Sequence, residues 1–301
     1  MPYNAEISRT NPTCFLFLVD QSSSMNDPWV TGSGKSKAEG VADILNRLLQ
    51  TLVLRCARAE GIRDFFHIGV IGYGNRVGPV LCRPPINCEP EAMMHAPPAT
   101  EGASAQGGNE CLIPVSEVAN KPLRVETRTK QVDDGAGGLV AQTVKFPVWF
   151  EPVAYGPTPM GEAFDMAWNV LVDFLNQYPN CYPPMVINIT DGEATDEDPE
   201  PRATTIRKLS YADGPTLLFN MHISTLSDAP ILFSDKEAGL PDDYAQMLFR
   251  MSSLLPPRMW NEARKDGFRM SEHSRGFAFN ADFGSVIKFL DIGTRVSQNI
   301  R

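Results

Sequence analysis

Two spacings of apolar residues alternate along the chain, short solid runs and longer stretches repeating every three to four positions, and together they predict strands followed by helices. Phe15-Leu16-Phe17-Leu18-Val19 is an unbroken apolar run suited to a strand buried on both faces. After a glycine- and serine-containing loop at 31–36, Val41, Ile44, Leu45, Leu48, Leu49, Leu52 and Cys56 share one face of a helix. Phe66 to Gly74 reads as a second buried strand. After Val80 the pattern dissolves. From about 82 to 145 the chain is rich in Pro, Gly, Ala and short polar residues without a helical period, which predicts a loop-rich insertion extended over the surface. Phe146-Pro147-Val148-Trp149-Phe150 reads as an edge strand, because proline has no N–H to give to a ladder. The next helix turns Met160, Ala163, Phe164, Ala167, Leu171 and Leu175 inward. A strand ending at Asp191, another from Leu217, a methionine-rich helical region from Tyr244, a strand from Gly276 and a closing helix near Val286 complete the series.

Such an alternation, joined by right-handed crossovers, predicts a Rossmann-like α/β fold. The expected sheet is doubly wound and mostly parallel, with one antiparallel edge strand and helices on both faces. One domain is expected over 11–301, interrupted at 82–145. Ligands of such sheets sit beyond the carboxyl ends of the strands, where strand order reverses.

Composition narrows the picture. The 301 residues are 43% hydrophobic, enough for a sizeable core, and the formal charge of −9 argues against nucleic acid or an anionic membrane as partner. No stretch reads as a signal peptide or a membrane span, so the expected location is cytoplasmic. Six cysteines at irregular intervals (Cys14, Cys56, Cys82, Cys88, Cys111, Cys181) do not read as a disulfide framework.

The candidate chemistry lies where apolar runs stop. The first strand ends in Asp20-Gln21-Ser22-Ser23-Ser24, a carboxylate followed by alternating hydroxyls that offers half a shell for a hard cation. Met185-Val186-Ile187-Asn188-Ile189-Thr190-Asp191-Gly192 repeats the logic, and Tyr155-Gly156-Pro157-Thr158-Pro159 supplies a threonine in a loop opening a helix. Taken singly, each is ordinary turn and cap chemistry. In this order and on these elements, Asp-x-Ser-x-Ser, then Thr, then Asp-Gly closely resembles the von Willebrand factor A domain with its metal-ion-dependent adhesion site. The donor set Asp20, Ser22, Ser24, Thr158 and Asp191 suits magnesium first, with manganese or calcium as alternatives, rather than zinc or copper. The resemblance implies that the first and fourth strands flank the reversal of strand order. It also implies that serine hydroxyls bind the metal directly, that threonine does so when a ligand is present, and that at least one aspartate acts through water. The partner it implies is a protein presenting an Asp or Glu to the metal. Stand-alone intracellular bacterial members act as adaptors beside MoxR-type ATPases, or beside kinases and phosphatases in tellurite-resistance clusters. Asp20 is expected to face solvent, contributing more to cation attraction than to packing.

Rival readings fail on spacing or on missing groups. Ser33-Gly34-Lys35-Ser36 echoes the end of a phosphate-binding loop, but Trp29 stands where its first glycine belongs. A phosphatase using Asp20 as nucleophile needs a second aspartate two residues on, where Ser22 stands. Cys82, Cys88, His95 and Cys111 match no compact zinc spacing, and whether they bind zinc stays open. His67 and His222, in apolar strands, read as satisfied core residues, and Glu193 to Glu200 as a solvated acidic loop. No nucleophile, base and orienting group assemble, so no catalytic residue is assigned. The expected function is a metal-dependent adaptor rather than an enzyme, with a metal-dependent phosphatase or nucleotide hydrolase as the alternative.

Overall fold

The computed structural model describes residues 3–29, 34–81, 111–133, 138–223, 230–280 and 283–294. Its main strands are β1 (Thr13–Asp20), β2 (Phe66–Tyr73), β3 (Val77–Leu81), β4 (Arg124–Asp133), β5 (Leu139–Val148), β6 (Met185–Thr190), β7 (Leu217–His222), β8 (Ile231–Leu232) and β9 (Phe277–Phe279). The helices are α1 (Lys37–Cys56), α2 (Val115–Asn120), α3 (Met160–Gln177), α4 (Glu200–Lys208), α5 (Asp243–Met251), α6 (Pro257–Lys265) and α7 (Phe283–Thr294).

Every residue of β1 is buried, because both faces of the sheet are covered. Phe15, Phe17 and Val19 enter one apolar layer, shared with α1, α2, α6 and α7. Cys14, Leu16 and Leu18 enter the other, shared with α3, α4 and α5. The sheet runs β8-β9-β7-β6-β1-β2-β3. β1 pairs in parallel with β2 and β6, β6 with β7, and β7 with β9, whereas β3 is antiparallel to β2 at one edge. The short β8 is antiparallel to β9 at the other edge. The six longer strands therefore lie in the order 3-2-1-4-5-6 of their appearance, and the order reverses between β1 and β6. This is the doubly wound α/β sheet expected, von Willebrand factor A-like in arrangement.

The 82–145 stretch differs from the loop-rich expectation in its second half. β4 and β5 form an antiparallel hairpin in register over their whole lengths, separate from the main sheet, and α2 precedes it. The edge strand expected at Phe146–Phe150 is the end of β5 in this two-stranded ribbon rather than a rim of the main sheet: it stops at Val148, with Pro147 opposite Val125. Val125 and Val140 are exposed, so the hairpin lacks the alternating buried face that marks a strand in sequence. It is anchored instead by polar side chains. Arg128 lies 3.7 Å over the Phe146 ring and pairs with Asp43 of α1 at 3.0 Å. Asn46 of α1, fully buried, accepts from the backbone N–H of Trp149 (2.7 Å) and Phe150 (3.0 Å) and donates to the Phe150 carbonyl (2.8 Å). Residues 82–110 lie outside the described residues, and with them Cys82, Cys88 and His95; Cys111 is buried.

Candidate metal centre

β1 and β6 deliver Asp20 and Asp191 to the same end of the sheet, on either side of the reversal. Asp20 is buried at 1% exposure, a correction to the solvent-facing carboxylate expected. Its Oδ1 accepts from the Ser22 N–H at 2.8 Å and its Oδ2 from the Thr190 hydroxyl at 2.7 Å. Burial pushes its carboxyl up to about 6, against the pull of those hydrogen bonds, with nearby Asp191 adding to the rise. The turn after β1 closes in a short 3-10 helix at Ser23–Asn26. There Ser22 Oγ and Ser24 Oγ stand 3.0 Å apart, and Ser24 Oγ donates to Asp191 Oδ1 at 2.7 Å. Two hydroxyls and two carboxylates thus form one linked set.

The loop that carries Thr158 is tied to the turn after β1 through its backbone. Tyr155 N–H donates to the Gln21 carbonyl (2.7 Å), Ser23 N–H to the Gly156 carbonyl (3.0 Å), and Gly156 N–H to Ser23 Oγ (3.0 Å). Gly156 has φ +98°, and a Cβ there would lie 2.5 Å from the Asn75 backbone nitrogen. At Gly74 a Cβ would meet the carbonyl oxygens of Gln21 and Tyr155 at 2.6 and 2.8 Å, so this glycine lets the two loops close on each other. On its other side Thr158 N–H donates to Thr195 Oγ1, and Thr195 N–H to the Thr158 carbonyl, both at 2.9 Å. Helix α3 starts at Met160 with Pro159 at its N-cap, which offers no side-chain acceptor. Asp196 supplies one, accepting from Gly161 N–H (3.2 Å) and Glu162 N–H (2.9 Å). The acidic run is solvated as expected, with Glu193, Asp196, Glu197 and Asp198 exposed, while Asp196 also caps the helix that follows the threonine loop.

Sequence reasoning missed several neighbours. Lys37, the first residue of α1, places Nζ 2.6 Å from Asp191 Oδ2, and its side chain is 5% exposed against 0% for Asp191. A serine N-cap followed by glutamate three residues later marks the helix start, but not where the lysine points: Ser36 and Glu39 form that capping box. Beneath the site runs a buried polar ladder. Tyr73 OH donates to Asn188 Oδ1 (2.7 Å), Asn188 Nδ2 to Asn220 Oδ1 (3.1 Å), and Asn220 Nδ2 to Ser252 Oγ (3.1 Å). Its trace in sequence is an asparagine inside each of two apolar strands, Asn188 in β6 and Asn220 in β7. His222, at the end of β7, stacks on Phe279 at 4.9 Å, and its Nδ1 has no hydrogen-bond partner, unlike the satisfied histidine expected. Burial lowers its pKa, which suits a neutral ring. His67 packs against the rings of Phe174 and Tyr178. Lys35 pairs with Asp43 of α1.

Among the described residues no group of three or more His, Cys, Asp or Glu side chains is arranged for a metal; the donor set here is two carboxylates with hydroxyls. Oxygen donors of that kind fit magnesium, which takes few carboxylates and keeps several waters.

No protein-family model and no curated protein matches the chain. Solved structures do show likeness. The conserved hypothetical protein BatB from Bacteroides thetaiotaomicron aligns at 11% identity and TM-score 0.45, covering 95% of this chain and 99% of that one. The von Willebrand factor domain of the type V pili tip protein Mfa5 from Porphyromonas gingivalis aligns at 12% identity and TM-score 0.31, covering 61% and 39%. Proximal thread matrix protein 1 from the mussel byssus aligns at 13% and TM-score 0.41, over 82% of this chain, which spans 41% of that protein's length. At these levels the fold rests on strand order and register in the chain itself. Among the described residues no helix is long and apolar enough to cross a membrane.

Proposed function

We propose that this chain is a metal-dependent protein-interaction module. Asp20, Ser22, Ser24, Thr158 and Asp191 would hold one magnesium ion, with manganese or calcium as alternatives, and an Asp or Glu of a partner protein would complete its shell. The observation that carries this reading is the latching of three loops at the reversal of strand order, with Ser22, Ser24 and Asp191 in one hydrogen-bonded set. When bound, the ion supplies an electrophilic position for a carboxylate. Asp20 holds the turn after β1 through the Ser22 N–H, the serines present their hydroxyls, and Asp191 orients Ser24. Partners consistent with the reading are a MoxR-type ATPase, a kinase or a phosphatase in the cytoplasm; nucleic acid and membranes are not expected, given the net charge of −9.

The test is titration calorimetry with Mg2+ and Mn2+, on wild type and on the Ser22→Ala, Ser24→Ala double variant. The expected result is one ion per chain, bound at least tenfold more weakly by the variant, and a binding partner recovered with magnesium but lost with chelator. Equal affinity in both proteins overturns the assignment. Magnesium-dependent turnover of ATP or a phosphate ester, lost in the double variant, would move the reading to a hydrolase.

A further inference from the structure

We infer that Lys37 is a tethered cation of this centre, bound to Asp191 when no divalent ion is present and passing to Asp27 when one binds. This rests on the metal-site reading above and concerns a residue outside its donor set. Asp191 shares its two oxygens between the Ser24 hydroxyl at Oδ1 (2.7 Å) and the Lys37 ammonium at Oδ2 (2.6 Å). A carboxylate buried this fully needs a counter-charge, and Lys37 supplies it from an equally enclosed side chain.

Helix chemistry alone does not favour a lysine here. The first turn of a helix carries the positive end of the macrodipole, where a cation is disfavoured. Lys37 is nevertheless held there. The Ser36–Glu39 capping box fixes the start of α1, Lys37 N–H donates to the Asp27 carbonyl at 3.0 Å, and Trp29 lies against Gly40, where a Cβ would be 2.1 Å from its ring. These contacts aim the side chain at the strand end.

A divalent ion bound by the serines and Asp191 would share that carboxylate with a second positive charge, so the two cations compete. Lys37 already has an alternative. Its Nζ is 3.6 Å from Asp27 Oδ2, a carboxylate 58% exposed, and 3.5 Å from the Ser24 carbonyl. A small rotation of the side chain exchanges one carboxylate for the other without moving the helix. The affinity of this centre for divalent ions is therefore set by Lys37 as well as by its oxygen donors.

Calorimetric titration with Mn2+ of wild type, Lys37→Met, Lys37→Arg and Asp27→Asn tests the inference. Lys37→Met should bind at least tenfold more tightly than wild type, Lys37→Arg within threefold of it, and Asp27→Asn at least threefold more weakly. Equal or weaker binding by Lys37→Met overturns the competition, and an unchanged Asp27→Asn overturns the exchange. If neither wild type nor Lys37→Met binds Mn2+, the metal-site reading fails as well; if both bind equally, only the role of Lys37 fails. Because Lys37→Met leaves Asp191 uncompensated and can unfold the chain, a second measurement uses wild type alone. Acetic anhydride labelling of Lys37, followed by mass spectrometry, should rise at least threefold when Mg2+ is added, and unchanged labelling overturns the inference.

Discussion

Asp20→Asn should make the metal-free protein more stable at neutral pH while removing its response to divalent ions. The buried Asp20 carboxyl titrates near 6 in the fold, about two units above the ordinary value of 3.8. Two units correspond to roughly 3 kcal/mol by which the charged form disfavours folding. The sign follows from the direction of the shift. A raised folded pKa means that the native state holds the proton more tightly than the unfolded chain, so Asp20's contribution is intact below about pH 4 and is lost as pH rises through about 6. Asparagine removes the charge and keeps an oxygen for the Ser22 N–H, but its amide can no longer serve as both acceptors. Losing the bond from Thr190 returns about 1 kcal/mol, which leaves a net gain of about 1–2 kcal/mol at pH 8. Urea denaturation with chelator at pH 8 and pH 4 measures it: the variant should be the more stable at pH 8, and the difference should shrink towards pH 4. With magnesium at 100 times its dissociation constant, wild type should gain about 2.7 kcal/mol and the variant far less, inverting the order. A variant no more stable than wild type at pH 8, or an advantage that does not change with pH, would refute the reasoning.

Other outcomes test the frame around the site. Gly74→Ala should splay the loops carrying Gln21 and Tyr155, lowering Mn2+ affinity at least tenfold at a stability cost of about 1–3 kcal/mol, read by calorimetry and denaturation. Tyr73→Phe leaves the buried Asn188 oxygen without its hydroxyl donor and should cost about 1–3 kcal/mol in denaturant midpoint. Asn46→Ala removes three buried hydrogen bonds that hold the chain after the hairpin; a loss of about 2–4 kcal/mol in thermal or urea unfolding is expected. Thr158→Ala should weaken capture of a partner by about 1–3 kcal/mol in interferometry while Mn2+ occupancy falls far less.

The central sheet was legible because its strands are buried on both faces, and residues such as Phe15 to Val19 have to be apolar throughout. The juxtaposition of Ser22, Ser24 and Asp191 stood out for the opposite reason: at Asp20 and Asp191 the apolar run stops abruptly, and no packing demand calls for carboxylates there. The β4–β5 hairpin was hidden. Its exposed faces carry arginine, threonine and glutamine, so hydropathy shows no period, and the Asp134-Gly135 pair was the signal that would have found it. Helices α4 and α6 escaped as well, since each buries only two residues. Lys37 could not be seen at all. A polar residue in a first helical turn looks solvated in sequence, and its partner Asp191 is 154 positions away.

In the proposed function three loops hold one divalent ion between Ser22, Ser24, Thr158 and the two aspartates. Anomalous diffraction from a crystal soaked in Mn2+ tests it most directly. A single strong peak is expected within about 2.0–2.4 Å of the Ser22 and Ser24 hydroxyl oxygens, weakened or absent in the double serine variant. A soaked crystal with no peak there, or with its peak elsewhere on the chain, would contradict it.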